Sequence, residues 1–154
     1  MSAPSPLQAH YGGFWIRVLA AIFDTVLLIV AVFPLRLVLG SAITLIGMEA
    51  QMPLHQMLVF RRLARIAVGV ALAWAYRAGM ESSSYQATLG KLAMRLRVTD
   101  EQGARISFAR ASGRYFAKFL FAFALGLGYL MVGFDEQKQG LHDRIAGTLV
   151  QYRS

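Results

Sequence analysis

The sequence predicts an all-α membrane protein with two to three transmembrane helices and a small cytoplasmic β-hairpin. The chain has 154 residues, a length that suits one domain. Hydrophobic residues make up 56% of it and charged residues 16%, against about 25% charged residues in an ordinary soluble domain. A soluble globule of this size has too much surface to hide so many apolar side chains, and a disordered chain would be poor in them. We therefore treat residues 1–154 as one membrane domain.

The first predicted helix covers residues 14–39 and follows a flexible tail, residues 1–13. Its apolar run exceeds the roughly 20 residues that cross a hydrocarbon core. Trp15 suits the headgroup boundary, where aromatic side chains are common. Pro34 lies near the far end and is expected to kink or stop the helix.

A second helix is predicted over residues 57–80, after a connecting loop at residues 40–56. Its uncharged core, Ile66–Tyr76, is short for a crossing. It reaches an adequate length if Arg65 and Arg77 extend their side chains toward opposite interfaces. We therefore predict a second transmembrane helix.

The loop over residues 81–106 is predicted to be cytoplasmic, because short cytoplasmic loops carry an excess of Lys and Arg. Within it, residues 94–99 alternate apolar with polar side chains, as a half-buried strand does. Asp100-Glu101-Gln102-Gly103 supplies turn residues. Arg105-Ile106 is the expected return strand, which predicts a local β-hairpin.

The third predicted helix covers residues 107–134, with Ser107 as its N-cap. Arg110, Arg114 and Lys118 recur every four residues and so share one face. A basic stripe of this kind is typical of a helix that lies on anionic lipid headgroups. The apolar run from Phe119 to Phe134 then enters the bilayer.

The path of the C-terminal tail, residues 135–154, has two alternatives. A full third crossing would place the tail opposite the basic loop. The glycines of Gly126-Leu127-Gly128 could instead turn the segment back as a re-entrant hairpin, if its backbone is buried in protein. Thr148–Tyr152 is predicted to be a strand, and a two-stranded hairpin is marginal alone. A third strand on the same side favours the cytoplasmic tail.

Composition argues against several function classes. The net charge of +8 would suit nucleic-acid binding, but the anionic cytoplasmic leaflet explains the same charge in a membrane protein. The chain has no Cys, and its three His lack ligand spacing, so no metal or cofactor is expected. The sequence shows no Ser/His/Asp arrangement for nucleophilic catalysis either. We expect neither an enzyme nor a nucleic-acid partner.

Asp24 is the most informative single residue, because it falls in the middle of the first apolar run. An acid at the bilayer centre costs about 2.5 to 3.5 kcal/mol on insertion scales, and such residues usually have a role. Arg17 lies seven positions earlier and therefore on the same helix face. The pair is consistent with a cation or proton site tuned by Arg17. It is also consistent with a structural pair that fixes helix register.

A second group of charges lies in the tail, in His142-Asp143-Arg144. Asp143 with its two neighbours could anchor a proton relay or form a salt bridge to the basic stripe. The alternative is a capped turn after Gly140 in which the aspartate is satisfied locally.

Three blocks of the sequence together resemble the RDD family of bacterial membrane proteins. The blocks run from Phe14 to Asp24, from Tyr85 through Gly90-Lys91 to Val98, and from Gly140 to Thr148. The resemblance maps the family's arginine and first aspartate onto Arg17 and Asp24, and we assign the second aspartate to Asp143. Lys91, His142 and Arg144 are expected to support this charge site. Transport of unidentified ligands is proposed for the family, and sodium/proton antiport has been claimed for some members.

The resemblance and the residues together predict a multi-pass protein of the bacterial inner membrane. The first hypothesis is an ion or small-solute transporter, with a monovalent cation or proton as ligand and anionic lipids around it. Three helices enclose little space, so a transporter would be a homo-oligomer. The alternative hypothesis is a non-transporting membrane adaptor or assembly factor whose buried charges are structural.

Overall fold

The computed structural model describes residues 11–124 and 141–153, with side chains over 11–118 and 143–153. Its elements lie in the order α1, α2, α3, β1, α4, α5, β2. Their bounds are Phe14–Glu49, Leu54–Ser82, Leu89–Ala93, Leu96–Asp100, Phe108–Ala124, Leu141–Ile145 and Thr148–Tyr152. The chain divides into two compact units, one of residues 1–24 with 76–154, the other of residues 25–75. We describe each unit by itself.

Helix α1 is longer than predicted, since it runs to Glu49 rather than to residue 39. Pro34 lies inside it and does not end it. The hydroxyls of Ser41 and Thr44 bond to backbone carbonyls four residues earlier, so these polar side chains are satisfied within the helix. The predicted loop over residues 40–56 therefore shrinks to the few residues between α1 and α2.

Helix α1 is, among the described residues, the one helix long and apolar enough to cross a membrane. Helix α2 covers the predicted second span, 57–80, and extends slightly beyond both ends. Because of its arginines, α2 is not among the helices apolar enough to cross a membrane. That α2 crosses the membrane stays a prediction. Helix α4 begins as predicted after Ser107, whose hydroxyl accepts a bond from the Arg110 amide at 3.2 Å. Residues 125–134 of the third predicted helix lie outside the described residues.

The sheet has two strands, and β1 pairs with β2 in antiparallel register from Leu96 opposite Tyr152 to Asp100 opposite Thr148. Tyr11 adds an isolated bridge to Gln151, and the Gly12 amide donates to the Val150 carbonyl at 3.0 Å. Residues 11 and 12, just before α1, therefore meet the last strand at this sheet. The side chains of its core are buried and apolar: Leu96, Val98, Ile106, Leu149 and Val150.

The predicted local hairpin is wrong, although its turn is present. The Asp100 carboxylate accepts bonds from the Gln102 and Ala104 amides, and Gly103 has a φ of +81°, which favours glycine. Ile106 then enters the core instead of returning as a strand. The strand predicted at residues 148–152 is confirmed and takes the place that Arg105-Ile106 was expected to fill.

Candidate functional site: buried charges beside the first helix

The carboxylate of Asp24 is buried, with 3% of the residue exposed, and accepts three hydrogen bonds. The Tyr76 hydroxyl donates to Oδ1 at 2.9 Å, and the Gly90 amide donates to the same oxygen at 2.7 Å. The Thr88 hydroxyl donates to Oδ2 at 2.5 Å. Both oxygens are therefore engaged by neutral donors from α2 and from the start of α3. We call Asp24, Tyr76, Thr88 and Gly90 the Asp24 site.

Gly90 is required by how closely α3 approaches α1. A Cβ at position 90 would collide with the carbonyl oxygen of Ala20 and lie 2.9 Å from Cγ of Asp24. Thr88 is the N-cap residue, in extended conformation, and directs its hydroxyl to the aspartate instead of to its own helix. The Leu89 amide donates to the Tyr76 hydroxyl at 3.0 Å, which fixes the tyrosine. Thr88, Leu89 and Gly90 thus each contribute a hydrogen bond to Asp24 or to Tyr76.

Arg17 is paired with Asp143, an acid from the other end of the chain. Nη1 of Arg17 lies 2.6 Å from Oδ2 of Asp143, and Nε donates to the Gly12 carbonyl at 2.7 Å. Asp143 is completely buried, and its second oxygen lies 3.0 Å from Nε of Arg114. Asp143 therefore sits between an arginine of α1 and an arginine of α4.

Glu81 and Lys91 extend this set of charges. Lys91 donates to Oε1 of Glu81, and Nη1 of Arg114 lies 3.7 Å from Oε2 of the same acid. Arg114 thus joins the two acids, one from α2 and one from α5. We call Arg17, Glu81, Lys91, Arg114 and Asp143 the charge network. It contains three cations and two acids, so its net charge is +1.

The charge network keeps Glu81 ionised at neutral pH. Burial alone would raise the pKa of Glu81, but the positive charges of Arg114, Lys91 and Lys118 outweigh it and lower that pKa from 4.5 to about 2. Glu81 follows the predicted span, 57–80. Burial lowers the pKa of Lys91, while the neighbouring Glu81 opposes this shift. Glu81 and Lys91 each stabilise the charged form of the other, because both side chains are removed from water.

The predicted site residues therefore separate into two places. Arg17, Asp143 and Lys91 belong to the charge network, and Asp24 belongs to the Asp24 site. Arg144 follows on α5 with an exposed side chain. The side chain of His142 lies outside the described residues.

Five residues of these sites were not among the predicted site residues: Tyr76, Glu81, Thr88, Gly90 and Arg114. Thr88 and Gly90 fall in the second of the three sequence blocks. Arg114 was expected on a basic stripe that lies on lipid headgroups, to which Asp143 could form a salt bridge; it is only 2% exposed and points at Asp143 and Glu81. Glu81 carried one signal, since it is a lone acid at the end of a helix ahead of a strongly basic loop. Tyr76 carried none, because an aromatic at that place equally suits a membrane boundary.

The described side chains form no group of three or more His, Asp or Glu that could hold a metal ion. The acids of both sites are instead engaged by protein donors and cations. Their arrangement holds separate segments together: α1, the end of α2, α3, α4 and α5.

The fold and these buried charges define a helical membrane protein with a small sheet beside its first helix. The chain belongs to the RDD family, whose family model matches residues 11–147. It is 32% identical over 148 residues to the uncharacterized protein YxaI of Bacillus subtilis (strain 168), an alignment that covers 92% of this chain and 97% of the relative. No solved structure matches the chain significantly. The resemblance drawn from the three sequence blocks is confirmed.

Proposed function

We propose that the buried charges are structural and that the chain is a membrane-embedded adaptor, a protein that holds or assembles other membrane proteins without moving a solute. One observation carries this proposal: Asp24 accepts three bonds from neutral donors through both of its oxygens. Its charge therefore stabilises the contact between α1 and α3.

A cation site would need a different environment. Cations bind where oxygen lone pairs converge on an open position. Around Asp24 the neighbouring groups are N–H and O–H donors, whose positive ends face the carboxylate. A cation placed there would meet these dipoles and would have to displace at least one bond. The geometry favours a permanent structural contact over repeated binding and release.

The sheet supports a topology for the adaptor in the bacterial inner membrane. The pairing of β1 with β2 supports placing the loop after α2 and the tail on one side of the membrane. Of the two alternatives for the third segment, this placement favours the re-entrant hairpin over a single full crossing. The excess of Lys and Arg in the loop assigns this side to the cytoplasm.

The substitution Asp24→Asn tests the adaptor against a transporter. Asn keeps the shape of Asp24 but loses charge-assisted bonds, each worth about 1.5 to 3 kcal/mol. We expect a lower melting temperature for the purified variant and, in reconstituted vesicles, no cation-driven proton flux from the wild type above that of empty vesicles. Glu49→Gln, at the exposed end of α1, is the matched control and should change neither. Flux that the wild type supports and Asp24→Asn abolishes would contradict the adaptor.

Partner binding needs its own measurement in cells. A photoreactive residue placed at Arg105, in the exposed loop after β1, should form a discrete adduct with another membrane protein. The same probe in the Asp24→Asn background should lose that adduct, because the loop is positioned through α3 and β1. Adducts with lipid alone would contradict the adaptor function.

Transport of an ion or small solute is the second candidate, and the charge network is the observation that favours it. Lys91 is buried next to Glu81, and burial lowers the pKa of Lys91. Several copies would then have to enclose the pathway. Under this alternative, Lys91→Met should abolish proton flux in vesicles while the protein still inserts.

A further inference from the structure

The unit of residues 25–75 contains a second set of positive groups, between α1 and α2. On this inner side, side chains of the two helices meet at regular intervals: Gly47 with Met57, Thr44 with Arg61, Gly40 with Arg65, and Arg36 with Gly69. The regular spacing places Arg36, Arg61 and Arg65 on the faces that the helices turn toward each other. We call these three arginines, with Gly40 and Gly69, the α1–α2 seam.

The glycines make the room that the guanidinium groups occupy. A Cβ at Gly40 would collide with Nη2 of Arg65, and a Cβ at Gly69 would collide with Nη2 of Arg36. The guanidinium groups of Arg65 and Arg36 therefore each lie against a glycine of the opposite helix. The large apolar side chains nearby point outward and are exposed: Leu37, Val38, Leu63 and Ile66.

The seam has positive charge without a matching acid. The unit holds four arginines and one acid, Glu49. Within the part of the chain that the structure describes, none of the three seam arginines forms an ion pair with a carboxylate. Arg61 donates to the Thr44 hydroxyl at 3.3 Å. Nε of Arg65 is buried and has no hydrogen-bond partner among the described residues.

A cationic group removed from water without a counter-charge is costly. The buried Nε of Arg65 is such a group, so the helix pair gains from an anion that neutralises its arginines. The planar guanidinium binds phosphate through two parallel hydrogen bonds, which suits Arg36 and Arg65 on facing helices. Arg36 is exposed, so an anion can reach the seam from outside the helix pair. We propose that the α1–α2 seam binds a phosphate group, held by Arg36 and Arg65.

The phosphate has two sources with the same chemistry, a phospholipid headgroup or a soluble phosphate. The purified full chain in neutral detergent is titrated with phosphatidylglycerol, with diacylglycerol, which lacks the phosphate, and with inorganic phosphate, and binding is followed by native mass spectrometry. We expect binding of phosphatidylglycerol and none of diacylglycerol. Inorganic phosphate that competes for the seam identifies a soluble anion as a ligand, and failure to compete identifies the headgroup.

Single substitutions locate the site. Arg36→Gln and Arg65→Gln should each weaken phosphate binding at least about tenfold, the loss expected for one charge-assisted contact. Arg62→Gln removes the same charge from an exposed residue next to Arg61 and should change binding less than about twofold. Arg65→Lys keeps the charge and provides a folded variant if glutamine is not tolerated. Wild-type chain that binds neither probe, or an equal loss in Arg62→Gln, would overturn the proposal.

Discussion

Arg17 Nη1 lies 2.6 Å from Asp143 Oδ2, although 126 residues separate them in the sequence. The pair connects the first turns of α1 with α5, directly before the last strand. Arg114 approaches the other oxygen of the same acid. The negative charge of Asp143, in α5, thus holds both α1 and α4 through their arginines.

The first prediction concerns this charge. Asp143→Asn leaves Arg17 and Arg114 facing each other without their shared acid. Removing one partner of a buried pair costs about 3 to 5 kcal/mol. We expect a corresponding fall in the free energy of unfolding, measured by tryptophan fluorescence in detergent.

The matched control for that substitution is Arg110→Gln, which leaves the turn bonds of the Asp100 carboxylate in place. Asp100 lies 3.9 Å from Arg110, whose side chain is 46% exposed, and pairs of this kind contribute at most about 1 kcal/mol. Equal destabilisation by the two substitutions would contradict the structural role of Asp143.

The second prediction concerns Gly90. Gly90→Ala places a methyl group against the Ala20 carbonyl and Cγ of Asp24, so we expect α3 to separate from α1 and the melting temperature to fall. Gly79→Ala is the same change within α2, where a Cβ meets nothing within 4 Å. There alanine should stabilise the helix by about 0.5 to 1 kcal/mol. A Gly90→Ala protein as stable as the wild type would refute the close approach.

The third prediction concerns pH. The pKa of Glu81 is lowered from 4.5 to about 2 in the folded protein. Because the folded state binds this proton more weakly than the unfolded state, the stabilisation is complete above pH 4.5 and is lost as the pH falls toward 2. At about 1.4 kcal/mol per pKa unit, the stability difference between wild type and Glu81→Gln should shrink by about 3 kcal/mol over that window.

The control for the pH series is Glu101→Gln, an exposed acid in the turn after β1. Denaturant unfolding at several pH values should give a nearly constant difference between this variant and the wild type. A constant difference for Glu81→Gln as well would mean that the network does not hold the acid ionised.

The fourth prediction concerns membrane topology. The chain has no native cysteine, so single cysteines can be labelled without background. Ser84 lies in the exposed loop between α2 and α3, and Arg153 is exposed directly after β2. Ser84→Cys and Arg153→Cys should react with an impermeant maleimide only after cells are permeabilised. Ala50→Cys, after α1, should react in intact cells. Labelling of Arg153→Cys but not Ser84→Cys in intact cells would contradict a shared side.

The sequence predicted the local features of this fold well, because each depends on nearby residues. The start of α1, the cap at Ser107, the turn after Asp100 and the final strand all follow from neighbouring side chains. The pairing of β1 with β2 could not be predicted in this way. Arg105-Ile106 and Thr148–Tyr152 were both plausible partners for β1. The structure pairs β1 with Thr148–Tyr152 and buries Ile106.

The sequence identified Asp24 as a site residue but did not predict which residues surround it. An acid in an apolar helix marks Asp24 from the sequence alone, since its burial is costly. Its partners come from positions 76, 88 and 90, which no helix periodicity links to it. The same holds for Arg114, whose regular spacing from Arg110 and Lys118 indicates a shared face but not whether that face points inward.

The late position of Asp143 has a consequence for biogenesis. A ribosome must reach position 143 before the counter-charge of Arg17 exists. Until then the first helix carries an arginine without this counter-charge, and the contact between α1 and α5 cannot form.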